Sequence, residues 1–296
     1  MTLRQVGEDR LLGQLLPSLA LRRNVILGAG DDCAAVRSPG ESKLLLLKTD
    51  CVVEEIHFGR KTDPVLVGWK AMMRPLSDFA AMSGIPQFAL ITITLAAARS
   101  TSWVRRVYRG LNSAARRFDV SIVGGETSNT NGPSAISVSV AGFVEKDRCV
   151  SRRGGKSGDD LFVTGKLGGS RRGRHLRFLP RIEESRWLSK HFAIHAMIDL
   201  SDGLGSDLPR LARASNLGFE IDESRLPLNS GAKISNAISD GEDYELLFAI
   251  SRRDRVRLEK SWRKKFPKLL ITRIGRLSQA STVNPQPLRS GYVHFK

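Results

Sequence analysis

The chain has 296 residues, 41% of them hydrophobic, with 47 Lys and Arg against 30 Asp and Glu, for a formal net charge of +17. That length supports one large domain or two ordinary ones, each with a buried core. No stretch reaches the roughly 18 apolar residues of a membrane helix, and the N-terminal M-T-L-R-Q-V-G-E-D-R lacks the basic-then-apolar layout of a signal peptide, so a cytoplasmic protein without membrane contact is expected.

Residues 8–20 carry L-L-x-x-L-L, the pattern of a short amphipathic helix, and N-V-I-L-G leads from it into a first acidic turn, G-A-G-D-D. L-L-L-L-K-T-D (44–50) reads as a buried strand. V-L-V-G-W-K-A-M-M (65–73) reads as a helix that Pro75 should break or kink before L-S-D-F-A-A-M, placing Asp78 near the start of a new helical turn. A strand over 88–95 is followed by a helix over 102–118 with Trp103, Val107, Leu111, Ala114 and Phe118 on one face. Strands follow at V-S-I-V-G and A-I-S-V-S-V-A-G-F-V.

The glycine-rich R-R-G-G-K-S-G-D-D (152–160) marks the expected domain boundary, giving domains over 1–150 and 151–296. Beyond L-F-V-T-G come a helix over 182–192, the strand A-M-I-D-L, a helix over 204–214 that Pro209 should distort or begin, and strands at E-L-L-F-A-I and L-L-I-T-R-I-G.

Charge divides unevenly, with 19 basic and 14 acidic residues in 1–150 but 28 and 16 in 151–296. R-R-G-R-H-L-R (171–177) and the stretch from Arg252 to Arg276 carry the excess. Such patches attract polyanions or small phosphate ligands. Without a zinc-finger, RRM or KH signature, nucleic-acid binding is possible but not favoured. Cys33, Cys51 and Cys149 form no C-x-x-C pair, which argues against a disulfide framework or structural zinc.

Against the basic background, acidic residues recur at strand ends: Asp31 and Asp32 after G-A-G, Asp50 after the leucine strand, Glu126 in a V-G-G-E-T turn, and Asp199 and Asp202 in I-D-L-S-D-G. A single such residue is an ordinary turn former or cap. The recurrence suits Mg²⁺, a hard cation usually held by a few carboxylates together with substrate phosphates. G-G-K-S (154–157) is not a P-loop, because Val150 stands where the leading glycine belongs. His191 and His195 have the spacing of a zinc helix without its glutamate and read as surface or half-buried residues.

G-A-G-D-D-C-A-A-V, K-T-D-C-V-V-E-E-I-H-F, V-G-W-K-A-M-M-R-P-L-S-D-F-A-A-M-S-G, I-V-G-G-E-T, S-R-R-G-G-K-S-G-D, M-I-D-L-S-D-G-L-G-S-D-L and S-D-G-E-D-Y-E-L-L-F occur in that order. As a set they resemble the thiamine-monophosphate kinases, of the superfamily that includes aminoimidazole ribonucleotide synthetase. The resemblance implies a two-domain PurM-like α+β fold, with mixed sheets, helices packed on one face and the N-terminal domain pairing across a homodimer. It implies transfer of the γ-phosphoryl group of ATP to thiamine monophosphate, giving thiamine diphosphate.

Position by position, the resemblance implies that Asp32, Thr49, Asp50, Asp78, Glu126, Asp199 and Asp202 surround Mg²⁺, with Asp50, Asp199 and Arg152 central to catalysis. Gly125, Glu126, Arg152 and Ser201 would meet ATP, and His57, Glu242 and Tyr292 would line the thiamine monophosphate pocket. The chain departs from the common pattern at Lys48, where a small polar residue is frequent, at Glu55, where glycine is, at Arg74-Pro75, where an apolar-Asn pair is, and at Glu126, where aspartate is. Alternatives are another ATP-using PurM-like enzyme with a different phosphate acceptor, and a diverged non-catalytic nucleic-acid-binding protein.

Overall fold

A computed structural model describes residues 2–37, 41–279 and 291. After the short helices α1 (Leu3–Val6) and α2 (Glu8–Leu15), the first half runs β1 (Val25–Leu27), β2 (Ala34–Arg37), β3 (Lys43–Val53), α3 (Pro64–Ala81), β4 (Ile85–Leu95), α4 (Thr101–Arg117), β5 (Ser121–Asn129) and β6 (Ala135–Glu145). Its strands form one sheet in the order β1-β2-β3-β6-β4-β5, antiparallel except for the parallel β4–β5 pair. The helix expected over 8–20 stops at Leu15, and a 3₁₀ turn over Leu16–Ser18 takes in Pro17.

α3 and α4 cover one face of this sheet and cross closely. A Cβ on Gly68 would lie 2.0 Å from Val107 O, and one on Gly110 2.0 Å from Val65 O, so each helix needs glycine where it meets the other. No described residue outside the sheet covers its opposite face, where Leu45, Leu47, Phe88 and Leu90 are exposed. β3 therefore alternates, with Leu44 and Leu46 buried under the helices and Leu45 and Leu47 exposed, rather than being buried on both sides as its leucine run suggests.

α3 also runs unbroken through Pro75. Losing one main-chain donor costs about 3 kcal/mol in a helix interior, but α3 buries Val67, Ala71, Met72, Met73, Leu76 and Phe79 in the core, and that burial outweighs the defect. Asp78 thus lies in the last turn of one continuous helix, not at the start of a new one.

The second half contains β7 (Asp160–Thr164), α5 (Ile182–His191), β8 (Ile194–Asp199), α6 (Leu204–Ala214), β9 (Leu217–Ile221), α7 (Ile234–Ser239), β10 (Leu246–Ile250), α8 (Arg255–Lys265) and β11 (Ile271–Gln279). Its sheet is antiparallel throughout, in the order β8-β10-β7-β11-β9. Helices cover one face of the first sheet but both faces here. Leu161 and Val163 pack with Leu204, Leu208 and Leu211 of α6, while Phe162 and Phe248 point the other way, toward Leu188 of α5 and Trp262 of α8. α6 continues past Pro209, which stands beyond its first turn. His191 ends α5 and His195 lies on β8, so the two histidines do not share a helix. Among the described residues no helix is long and apolar enough to cross a membrane.

Candidate active site

α3 organises the site. Lys70, Arg74, Ser77 and Asp78 fall at i, i+4, i+7 and i+8, which places them along one stripe of an otherwise apolar, buried helix. Each reaches a different part of the chain. Lys70 Nζ meets Glu242 Oε1 at 2.5 Å, Arg74 Nη2 approaches Asp50 Oδ1 at 3.5 Å, Ser77 Oγ donates to Asp199 Oδ2 at 2.6 Å, and Asp78 Oδ1 accepts from Lys48 Nζ at 2.7 Å.

Asp78 from α3, Asp32 from the loop between β1 and β2, and Asp199 from the end of β8 converge. All three are buried, and each offers a carboxylate oxygen within 4.8 Å of the others. Burial and the neighbouring Asp32 push the Asp199 carboxyl up to about 7, with the Ser77 hydrogen bond opposing. Burial likewise raises Asp78, against the Lys48 ammonium, and raises Asp31 to about 6 with help from Asp32. Burial disfavours the charged form of Lys48, but Asp78 and Asp50 outweigh it and hold the ammonium above the ordinary lysine range. Arg152 caps the cluster from the second half: Nη2 donates to Asp32 Oδ1 at 2.6 Å and Nε to Oδ2 at 3.3 Å.

Next to the carboxylates lies a pocket lined by His57, Arg74, Arg171, Ser201, Asp202, Glu242 and Tyr244. His57 Nδ1 accepts from Val53 N at 3.0 Å, so the neutral ring carries its proton on Nε2. Burial works against the Glu242 charge, but hydrogen bonds from His175 and Lys70 overcome it and hold the carboxyl down at about 2. Lys70 is fully buried, and its ammonium also meets His57 O at 2.8 Å and His175 Nδ1 at 2.7 Å. Burial lowers it to about 8 against the pull of Glu242. Tyr244 stacks on Phe178 with ring centroids 3.8 Å apart and closes the pocket floor.

The structure separates the sequence-expected residues into groups. Asp32, Asp78 and Asp199 meet, with Asp50 and Arg152 at their margin, while His57, Ser201, Asp202 and Glu242 line the pocket. Asp202 pairs with Arg210, and its N–H donates to Asp207 Oδ2 at 3.0 Å. Strand alternation sends the Thr49 side chain to the uncovered sheet face, where Ser139 Oγ donates to it at 3.0 Å. Gly125 and Glu126 lie within the exposed edge strand β5 rather than in a turn, away from the three buried carboxylates. A Cβ on Gly125 would stand 1.8 Å from Ile91 O, so glycine permits the β4–β5 pairing there. Tyr292 lies outside the described residues.

Lys70, Ser77, Arg171 and His175 complete the site, and sequence reasoning did not single them out. Lys70 and Ser77 sit inside the α3 motif, where a polar stripe at helical spacing was the available signal. The charge of the run 171–177 points to polyanions or small phosphate ligands; in the structure part of the run is paired inside the chain. Arg171 lines the pocket, His175 Nδ1 lies 3.0 Å from Glu242 Oε2 behind it, and Arg174 donates to Asp243 O at 3.0 Å and to Asn229 Oδ1 at 3.1 Å. Just beyond the run, Arg181 grips Glu245 through two 2.7 Å bonds.

Residues 30–144 match the family described as AIR synthase related protein, N-terminal domain, and residues 138–259 match its C-terminal domain. The chain is 36% identical to the thiamine-monophosphate kinase of Rhodopirellula baltica over 271 residues, 86% of this chain and 84% of that one. It is 34% identical to the Aquifex aeolicus enzyme of the same name over the full length of both. Among solved structures, AaThiL complexed with AMPPCP and TMP superposes with a TM-score of 0.83 at 32% identity, covering 100% of this chain and 99% of that one. The thiamine-monophosphate kinase of Stenotrophomonas maltophilia K279a gives 0.75 at 28% identity, over 94% and 95%. With its two-domain PurM-like fold, the chain belongs to the thiamine-monophosphate kinase family.

Proposed function

We propose that this chain transfers the γ-phosphoryl group of ATP directly to the phosphate of thiamine monophosphate, giving thiamine diphosphate. The observation that carries this is the meeting of Asp32, Asp78 and Asp199, drawn from both halves of the chain, beside the pocket of His57, Ser201 and Glu242. AaThiL, its relative over the whole chain, is complexed with both an ATP analogue and TMP.

Three buried carboxylates, two of which (Asp78 and Asp199) burial pushes up, form a hard-oxygen donor set that fits Mg²⁺. Asp32, Asp78 and Asp199 would hold it, with Asp50 adjacent; Thr49, Glu126 and Asp202 belong to the wider set implied by family resemblance. Bound there, Mg²⁺ neutralises phosphate charge and stabilises the transferring group.

The chain's own residues supply position and charge. Arg152 brings a guanidinium to the carboxylates, where nucleotide phosphates would sit. His57, Glu242 and Ser201 orient the acceptor. The acceptor phosphate is already ionised near neutral pH, with a second pKa near 6, so no general base is required and in-line attack needs no phosphoenzyme.

We place the domain boundary at 150/151, the protein in the cytoplasm, and a second copy against the uncovered face of the first sheet. The test is thiamine diphosphate formation from thiamine monophosphate and Mg-ATP, with thiamine and a metal-free sample as controls. Product from the monophosphate alone supports the proposal. ATP binding without product assigns the chain another phosphate acceptor.

A further inference from the structure

Asp32, Asp50, Asp78 and Asp199 would present four negative charges, enough for two divalent ions, but the chain answers three of them itself. Lys48 reaches Asp78 at 2.7 Å, Arg152 reaches Asp32 at 2.6 Å, and Arg74 stands 3.5 Å from Asp50. All three cations are at least three-quarters buried, their side chains 22%, 20% and 14% exposed in that order.

Lys48 and Arg74 differ from Arg152 in where they stand. Lys48 lies on β3 two residues before Asp50 and faces the helix side of the sheet. Its ammonium occupies one Asp78 oxygen and feels the charges of both Asp78 and Asp50, so it sits where a second ion shared by those two carboxylates would compete with it. Arg74 holds Cys51 O through Nη1 at 2.8 Å, which fixes its guanidinium between Asp50 and the substrate pocket. Among the described residues its Nε is buried without a hydrogen-bond partner, so their acceptors do not saturate this cation.

We propose that Lys48 and Arg74 are fixed cations that carry charge a second divalent ion would otherwise supply, so that the nucleotide-free site of this chain takes one divalent ion, at Asp32, Asp78 and Asp199. The catalytic consequence rests on the phosphoryl-transfer function proposed above; the ion count does not. A lysine and an arginine set by the fold occupy their places without depending on metal concentration.

Mn²⁺ titrated onto the full-length, nucleotide-free protein, with free Mn²⁺ read by electron paramagnetic resonance, tests this. Wild type should bind about one ion per chain, and the Lys48→Met, Arg74→Met double variant about two, as expected when carboxylates lose internal counter-ions. Lys48→Arg, which keeps the charge, should still bind one. Two or more tight ions on wild type, or the same count on wild type and the double variant, would overturn the inference. If the double variant does not fold without metal, the wild-type count decides. Because binding is read without turnover, one ion on wild type alongside no thiamine diphosphate formation would retain the fixed cations and reject the proposed reaction; the reverse pattern would reject only the fixed cations.

Discussion

Ser77 Oγ donates to Asp199 Oδ2 at 2.6 Å, and this bond ties α3, under the first sheet, to the end of β8 in the second. Both groups are buried. The hydroxyl therefore orients one carboxylate of the buried trio proposed above to hold Mg²⁺ and partly offsets the burial that raises it. Ser77→Ala should cost about 1.5–3 kcal/mol of stability, as for a buried hydrogen bond to a charged group. Turnover should fall with little change in the Michaelis constant for thiamine monophosphate, because Ser77 positions Asp199 rather than substrate. Asp199→Asn should lower turnover by orders of magnitude while melting close to wild type. Steady-state kinetics and thermal melts check both, and wild-type turnover in Asp199→Asn would remove the aspartate from the mechanism.

Much of this site was legible from residue order. Asp32, Asp78 and Asp199 stood in glycine-marked or motif-bound positions and do converge. What was not legible came from tertiary packing. Pro75 predicts a break when only local hydrogen bonding is weighed, but burial around α3 carries the helix through it. The leucines of β3 read as buried on both sides because nothing in the strand itself says that one sheet face has no helix over it. The run 171–177 looked like a free basic surface because its acidic partners, Glu242, Asp243 and Glu245, lie some 70 residues away in the chain.

Lys70 and Glu242 form a buried pair whose value appears when one partner is removed. Glu242→Gln should destabilise the protein by about 3–5 kcal/mol, because the Lys70 ammonium is left without its counter-charge. Adding Lys70→Met should recover much of that loss. The same carboxyl gives a pH signature. Its folded pKa of about 2 lies below the ordinary glutamate value of 4.5, so its contribution is complete above about 4.5 and is lost as pH falls toward 2. Urea titrations between pH 5 and 3 should show wild type losing stability more steeply than Glu242→Gln. Parallel curves would mean that the carboxyl is not held down in the folded state.

Glu55 sits at φ 65, in the left-handed region, at the turn that leads to His57. A residue with a Cβ pays for that conformation, and the exposed Arg60 pairing at 3.1 Å returns little. Glu55→Gly should raise stability by about 1 kcal/mol without altering turnover, since it relieves backbone strain outside the pocket. A fall in melting temperature would show that the pairing with Arg60 outweighs the strain.

The uncovered face of the first sheet exposes Leu45 and Leu47 on β3, Phe88 and Leu90 on β4 and Val123 on β5, with Ser139 and Ala141 of β6 between the first two strands. A contiguous apolar patch on a sheet face marks an association surface, and an isologous contact would let one copy cover the same patch on its twin. Glu126 and the Thr49 side chain, both displaced from the buried trio, belong to β5 and to this same open face. Leu90→Lys should therefore convert a dimer into a monomer at micromolar concentration, measured by sedimentation velocity. The folded monomer should also lose activity more than a surface charge alone explains, because Thr49 and Glu126 would no longer be screened by a partner. A wild-type chain that sediments as a monomer would instead leave the patch to a different occupant.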